Sequence, residues 1–450
     1  MKLGPLAIAA VFFSPLIVTA QVPSEQIAPE TITRPRTVTG PPPKAIEQSG
    51  SPTTLPQPPE AATRSATVPL EATKSATGPL ESSAGSGSVA ASASESSVSL
   101  HHLSPLAIRA RITEAERLFK SRPLPAAMTP SIEFVTMAAF EQSTARVHKI
   151  TIPKETFLTK GSELTVTSSL GTPLSVRILR ANGVNTAVTI FDNAGRSFAP
   201  LLVEFPIEKR GVFRELAYYT SAHPALLSPE LSRSGQAYIR NMVDLAAKRL
   251  RDKGVFISPQ LVDVAERLCL VEHVDHERFR LEDRKALYNE IYSLFALNEL
   301  DTYRYSVSSA GAGGMVQMIP WAYGLMRQRH PGVGLIPDFV TGMRNHSNAL
   351  QAMLLYMHDT WNDLAANDEV QYALNAKLAT PTELLAAGYN SNAAKLPLYL
   401  KRGGAGWRTL IPRETQVYLQ IYKSFESLVP IKSRTSLNTS STGTGKTPKA

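Results

Sequence analysis

From residue 132 to about 215 apolar and polar positions alternate along the chain. Ile150 and Ile152, Leu164 and Val166, and Leu174, Val176 and Ile178 stand two apart, with Gly161, Gly171, Gly183 and Gly195 punctuating the runs. A period of two puts every second side chain on one face of a strand, and the glycines supply turns. The stretch therefore predicts a small antiparallel β domain. Ahead of it, residues 106–122 predict a short helix, with Thr113 and Glu116 at capping-box spacing before Leu118 and Phe119.

After about 228 the apolar period lengthens to that of a helix. Ile239, Met242, Val243, Ala246 and Leu250 share one face, and Gly254 ends that helix. Ser258 and Pro259 form a cap and first turn, and Leu261, Val264, Ala265, Leu268 and Val271 follow on one face up to Glu272. A third helix, about 283–298, carries Leu287, Ile291, Leu294 and Phe295 and leads to Glu299. Another, rich in Leu, Met and aromatic residues, runs from about 346 to 364, and Thr380, Pro381 and Glu383 open one more. The expected fold class is α+β: a mainly helical domain at 228–430 preceded by a β-rich domain with its leading helix at 106–225.

The two ends read differently. Residues 1–20 have the pattern of a signal peptide, with Lys2, an apolar run from Leu6 to Val18 and a cleavage site after Ala20. That pattern predicts a periplasmic or secreted chain with no stable membrane span after cleavage. Residues 21–105 are rich in Pro, Ser, Thr and Ala, too polar to offset the entropy of ordering, and predict a disordered linker. A second disordered tail is expected over 431–450. It holds Gly443, Thr444, Gly445, Lys446 and Thr447, but no strand precedes this run and no helix can follow it, so a phosphate-binding loop is rejected.

A net charge of +9 on 450 residues suits an anionic polymer or surface, and no dense Arg/Lys stripe with interleaved aromatics points to nucleic acid. The single cysteine, Cys269, lies in an apolar helical pattern and cannot form an internal disulfide. Glu272, His273, Asp275, His276 and Glu277 bring metal-ligating types together, but the spacing is not His-Glu-x-x-His and no third ligand is evident; no metal or cofactor is expected.

The stretch with the most chemistry is Glu299 to Pro320. Ser308, Gly311, Ala312, Gly314, Gln317 and Pro320 stand at the spacing of the core motif of the soluble lytic transglycosylases, which the stretch resembles. Glu299 lies 18 residues before Gln317, where that family carries its catalytic acid. Leu300 stands where the family has Ser, and Met315 and Val316 stand for Leu and Met. Glu272 is a rival: the helix from Ser258 resembles the family segment that delivers the acid from a buried helix end. With Glu272 as the acid, 273–300 is an insertion. Downstream, Ala387 to Asn392 resembles the family's Ala-Tyr-Asn-Ala-Gly motif, and Pro412, Glu414, Thr415 and Tyr418 resemble its closing segment.

The resemblance covers about 256–428 and implies a lysozyme-like helical domain acting on peptidoglycan glycan strands. One Glu would serve as acid and then base, giving 1,6-anhydro ends without water. A carboxylic acid kept neutral near pH 7 can supply the first proton. The resemblance also implies that Tyr389 orients that Glu and that Asn390 borders the sugar cleft, with Ser308, Gly311, Ala312, Gly314, Gln317 and Glu414 lining it. A lysozyme-type hydrolase and a non-catalytic wall-binding scaffold are the alternatives. The β domain and linker leave room for a cell-envelope protein partner.

Overall fold

The computed structural model describes residues 104–121 and 131–434. The signal peptide, the linker up to 103 and the tail from 435 lie outside the described residues. The architecture is α+β, with a curled antiparallel sheet and thirteen helices among the described residues. None of these helices is long and apolar enough to cross a membrane.

The leading helix α1 (Pro105–Lys120) is capped by Ser104, whose hydroxyl accepts from the Ala107 N–H. The capping box expected at Thr113 and Glu116 is not formed. The helix has already started at Pro105, and the Thr113 hydroxyl donates back to Arg109 O at 2.9 Å. The sheet comprises β1 (Phe134–Glu141), β2 (Arg146–Pro153), β3 (Glu163–Thr167), β4 (Pro173–Arg180), β5 (Ala187–Asp192), β6 (Ser197–Lys209) and β7 (Val212–Tyr219), with the short α2 (Lys154–Phe157) after β2. The order is β2-β1-β6-β5-β4-β3, with β7 also on β6. The long β6 pairs along one edge with β1 and along the other first with β5 and then with β7. The turn after β3 returns to β2, Ser169 N–H donating to Lys149 O at 2.8 Å, so the sheet curls on itself. Ile150, Ile152, Leu174, Val176 and Ile178 all point into the curl, as their alternation requires. The opposite face at Ala138, Phe140, Leu201 and Leu202 is covered by Ile108, Ala115 and Phe119 of α1.

The helical part runs α3 (Pro229–Asp252), α4 (Pro259–Val271), α5 (His276–Leu281), α6 (Arg284–Asn298), α7 (Pro320–Arg329), α8 (Phe339–Arg344), α9 (His346–Ala365), α10 (Asp368–Asn375), α11 (Pro381–Asn390), α12 (Leu396–Gly403) and α13 (Arg413–Leu428). The caps expected at Ser258 and at Thr380 with Glu383 are formed, the latter as a reciprocal capping box. Helix α4 is apolar nearly all round because α3, α6, α9, α11 and α13 surround it. Helices α3 and α6 cross closely at Gly235, where an added Cβ would stand 1.8 Å from Tyr292 O.

One apolar core runs from the sheet (Val135, Phe205, Tyr219) into the helices (Leu268, Phe295, Phe425). The seam is pinned by Asn298, whose side-chain amide exchanges two hydrogen bonds of 2.8 Å with the backbone of Thr220. The tail expected from 431 begins later than its composition suggests. Arg434 is clamped onto α3 and α4, its guanidinium reaching Asp244, Asp263 and Glu266.

Candidate active site

The site is built around the end of α4. Glu272 is its C-cap residue, with its N–H donating to Leu268 O at 3.0 Å. The apolar surface of α4 places the helix in the middle of the bundle and so carries this carboxyl among the surrounding helices. Glu272 keeps some contact with solvent, yet protein surrounds its carboxyl. Burial pushes it up to about 8, against the pull of a hydrogen bond from Tyr418 and with a further push from the negative charge of Glu414. The Tyr418 hydroxyl donates to Glu272 Oε1 at 2.5 Å.

The Gly-rich stretch folds into a tight antiparallel turn beside it, with bridges from Gly313 to Val307 and to Met318. Ser308 ties the turn at both of its polar groups. Its N–H donates to Ala312 O at 2.8 Å, and its hydroxyl accepts from Ala312 N–H at 3.0 Å. Gly311 sits at φ +77° and Gly314 at φ +68°; a Cβ on Gly314 would lie 2.4 Å from Met343 O. Both positions require glycine, the second also for want of space. Gln317 takes up a left-handed conformation, φ 45° and ψ 41°.

Three successive carbonyls of this turn each accept a side-chain hydrogen bond. Gly314 O accepts from Gln317 Nε2 at 2.8 Å, Met315 O from His273 Nε2 at 2.9 Å and Val316 O from the Tyr389 hydroxyl at 2.6 Å. The His273 ring also lies flat on Tyr303, centroids 3.4 Å apart and planes within 1°. The residue next to Glu272 and the end of α11 therefore both hold the turn. Tyr389, expected to orient the acid, gives its hydrogen to the turn instead. Its hydroxyl still feels the Glu272 charge, and burial first, then that charge, raise it well above an ordinary phenol. Asn390 follows it, half-buried, at the end of α11. Glu414 is exposed in the first turn of α13, and its charge reaches both Glu272 and His276.

Glu299 stands apart from this constellation. It follows α6 in a left-handed conformation at φ 47°, with its side chain 56 % exposed and paired with Arg109 at 3.3 Å. The spacing of 18 residues to Gln317 produces no contact with the turn: Glu299 follows α6 and pairs with Arg109 of α1 instead. Of the two rivals, Glu272 is the one whose surroundings include the Gly-rich turn, Tyr389 and Glu414.

The histidine cluster has other occupations. His273 serves the turn, and Asp275 caps α5 by accepting from the N–H groups of Glu277 and Arg278. Among the described residues no group of three or more His, Cys, Asp or Glu side chains is arranged to hold a metal ion. Two residues of the site were not singled out for these roles in the sequence. His273 is visible there only as part of a metal-like run, and Tyr418 only as the end of the closing segment; the signal for both is adjacency to a motif. Compared with protein-family models, curated proteins and solved structures, the chain matches none.

Proposed function

We propose that this chain is an exported lytic transglycosylase, cleaving the MurNAc–GlcNAc β-1,4 bond of peptidoglycan with Glu272 as its single acid and base. The observation that carries the reading is the state of Glu272. Its carboxyl is desolvated, has a tyrosine as its hydrogen-bond donor and no cation among the groups that move its pKa. With a pKa of about 8 it is mainly protonated at pH 7. That is the state a general acid needs. The resemblance in the Gly-rich, Tyr-Asn and Glu-Thr segments adds to it, because all three surround this carboxyl in space.

In the proposed reaction Glu272 gives its proton to the bridging oxygen as the C1–O4 bond breaks. The carboxylate left behind accepts the proton of the sugar's own 6-hydroxyl, O6 bonds to C1, and Glu272 regains its proton. The glycines of the turn let the backbone approach the sugar closely, and the clamps from His273 and Tyr389 fix the turn relative to the acid. Export rests on the pattern at 1–20. A second reading, a hydrolase, is favoured by Glu414, whose carboxylate is near enough to raise Glu272. Two carboxylates could protonate the bond and activate water.

Purified peptidoglycan is digested with the mature protein and the products are weighed by mass spectrometry. Anhydro-muropeptides from wild type and Glu299→Gln but not from Glu272→Gln are expected. Reducing-end products would select the hydrolase. Retained binding without cleavage by folded wild type would leave a wall-binding scaffold, and loss of cleavage in Glu299→Gln alone would overturn the assignment of the acid.

A further inference from the structure

We propose that a groove bordered by Leu300 and Arg304 is a binding site for an anionic amphiphile, a phosphate or carboxylate head carrying an alkyl portion. The groove is open, encloses about 550 Å³ and lies between α3, α8 and the start of α9. Its lining brings together Arg249, Arg304 and Arg344 with Met242, Leu245 and Leu300.

The charges do not balance. Arg344 donates to Glu215 Oε1 at 2.6 Å, and Arg304 pairs with Asp301 at 3.2 Å and stands 3.8 Å from Glu215. Arg249 bonds only the Ser347 hydroxyl and has no carboxylate partner among the described residues. Three guanidiniums thus face two carboxylates, an excess suited to one negative head group. Arg304 adds a buried Nε with no hydrogen-bond partner. The 20-residue α9 starts in the same wall with His346 and Ser347, and it has no acidic residue in its first turn. Its N-terminal dipole end therefore also favours an anion. Glu299, nearby in sequence, is occupied by Arg109.

The apolar wall argues for more than an inorganic ion. Leu300 is 59 % exposed and Leu245 37 %, beside the half-buried Met242. Size argues for a small ligand, since the volume falls within the few hundred to one thousand Å³ usual for such sites. This site is independent of the reaction proposed for Glu272.

Titration calorimetry with octyl phosphate and with inorganic phosphate tests it. Octyl phosphate is expected to bind one to one, with inorganic phosphate about tenfold weaker or more for want of the methylenes. Arg249→Gln should weaken both by about tenfold, the worth of a charge-assisted hydrogen bond. Leu300→Ser should weaken octyl phosphate alone. Both side chains are exposed, so the variants should fold. Flotation with phosphatidic-acid vesicles, abolished by Leu300→Ser, would identify the head as a lipid's; octyl phosphate binding without flotation would identify a soluble amphiphile. No binding by wild type, binding unchanged in Arg249→Gln, or equal affinity for the two phosphates would overturn the proposal.

Discussion

Glu272→Gln should make the protein more stable, and the gain should depend on pH in one direction. The carboxyl titrates at about 8 in the folded chain against 4.5 ordinarily. The folded state therefore holds a proton that the unfolded state has released, and stability falls as pH rises from the unfolded value through the folded one. At pH 7 the unfolded chain is fully ionised at this group while the folded chain is mostly protonated, a difference of about 3 kcal/mol. Because the residue keeps some contact with solvent, about 2–3 kcal/mol is the better figure. Glutamine is neutral at every pH and retains an oxygen that can accept from Tyr418. The variant should match wild type near pH 4, exceed it by about 2–3 kcal/mol at pH 7, and gain a little more by pH 8. Urea unfolding of both proteins at pH 4, 6, 7 and 8 measures the gap, and taking the difference cancels the titrating groups not coupled to Glu272. A gap that stays flat, or a variant less stable than wild type at pH 7, would refute the claim that this carboxyl is desolvated. The proposed acid would then have no basis. An active-site group that costs stability in this way is an expected trade of stability for function.

Arg434→Ala should destabilise by about 3–5 kcal/mol in urea, because the 2 % exposed side chain of Glu266 would keep only Arg240 and Asp263 only the backbone N–H of residue 434; Glu266→Gln in the same chain should recover part of the loss. Burial already raises Glu266 against the pull of Arg434, so the Arg434→Ala penalty should shrink as pH falls below neutral and the carboxylate takes up a proton. Gly314→Ala should cost more than about 2 kcal/mol, since a backbone oxygen at 2.4 Å cannot move aside. Gly334→Ala, at a similar φ of +65° with nothing within 4 Å, should cost only about 1 kcal/mol. His273→Ala leaves Met315 O without its partner and uncovers the Tyr303 ring. A loss of about 2 kcal/mol and faster amide exchange confined to 306–318 are expected; unchanged exchange there would mean that His273 does not hold the turn.

Most of the elements were legible because their signals are local. Alternation placed Ile150, Leu174 and Val176 inside the curl, and Ser258, Pro259, Thr380 and Glu383 marked helix starts at which side-chain and backbone geometry agree. Thr113 misled because a capping pattern carries no information about whether a helix has already begun. The extent of the tail was not legible for a different reason. Composition reports what a segment cannot bury by itself, whereas Arg434 is ordered by carboxylates contributed by α3 and α4 almost two hundred residues earlier. The candidate site was half legible. The turn glycines and Tyr389, singled out by motif, come together beside Glu272, but the choice between Glu272 and Glu299 depends on the route of the chain between α4 and the turn, and spacing along a sequence does not encode that route.

Glu272 is raised mainly by its burial, and the neighbouring cations do not offset this. His273 and His276 follow it directly, and a positive charge on either would pull the carboxyl down. Burial holds His273 neutral to about pH 3, and it is already committed to Met315 O. His276 is also lowered by burial, although Glu414 and Asp275 draw it upward. Arg278, the next cation along, is consumed by Glu282 and Glu290 through four hydrogen bonds. At neutral pH the nearest charge of any consequence is therefore the negative one on Glu414, which raises Glu272 further. The run of residues that looks most like a metal site is occupied in holding the turn and capping α5. A metal ion bound there would lower the pKa of Glu272 and abolish the proton on which the proposed chemistry depends.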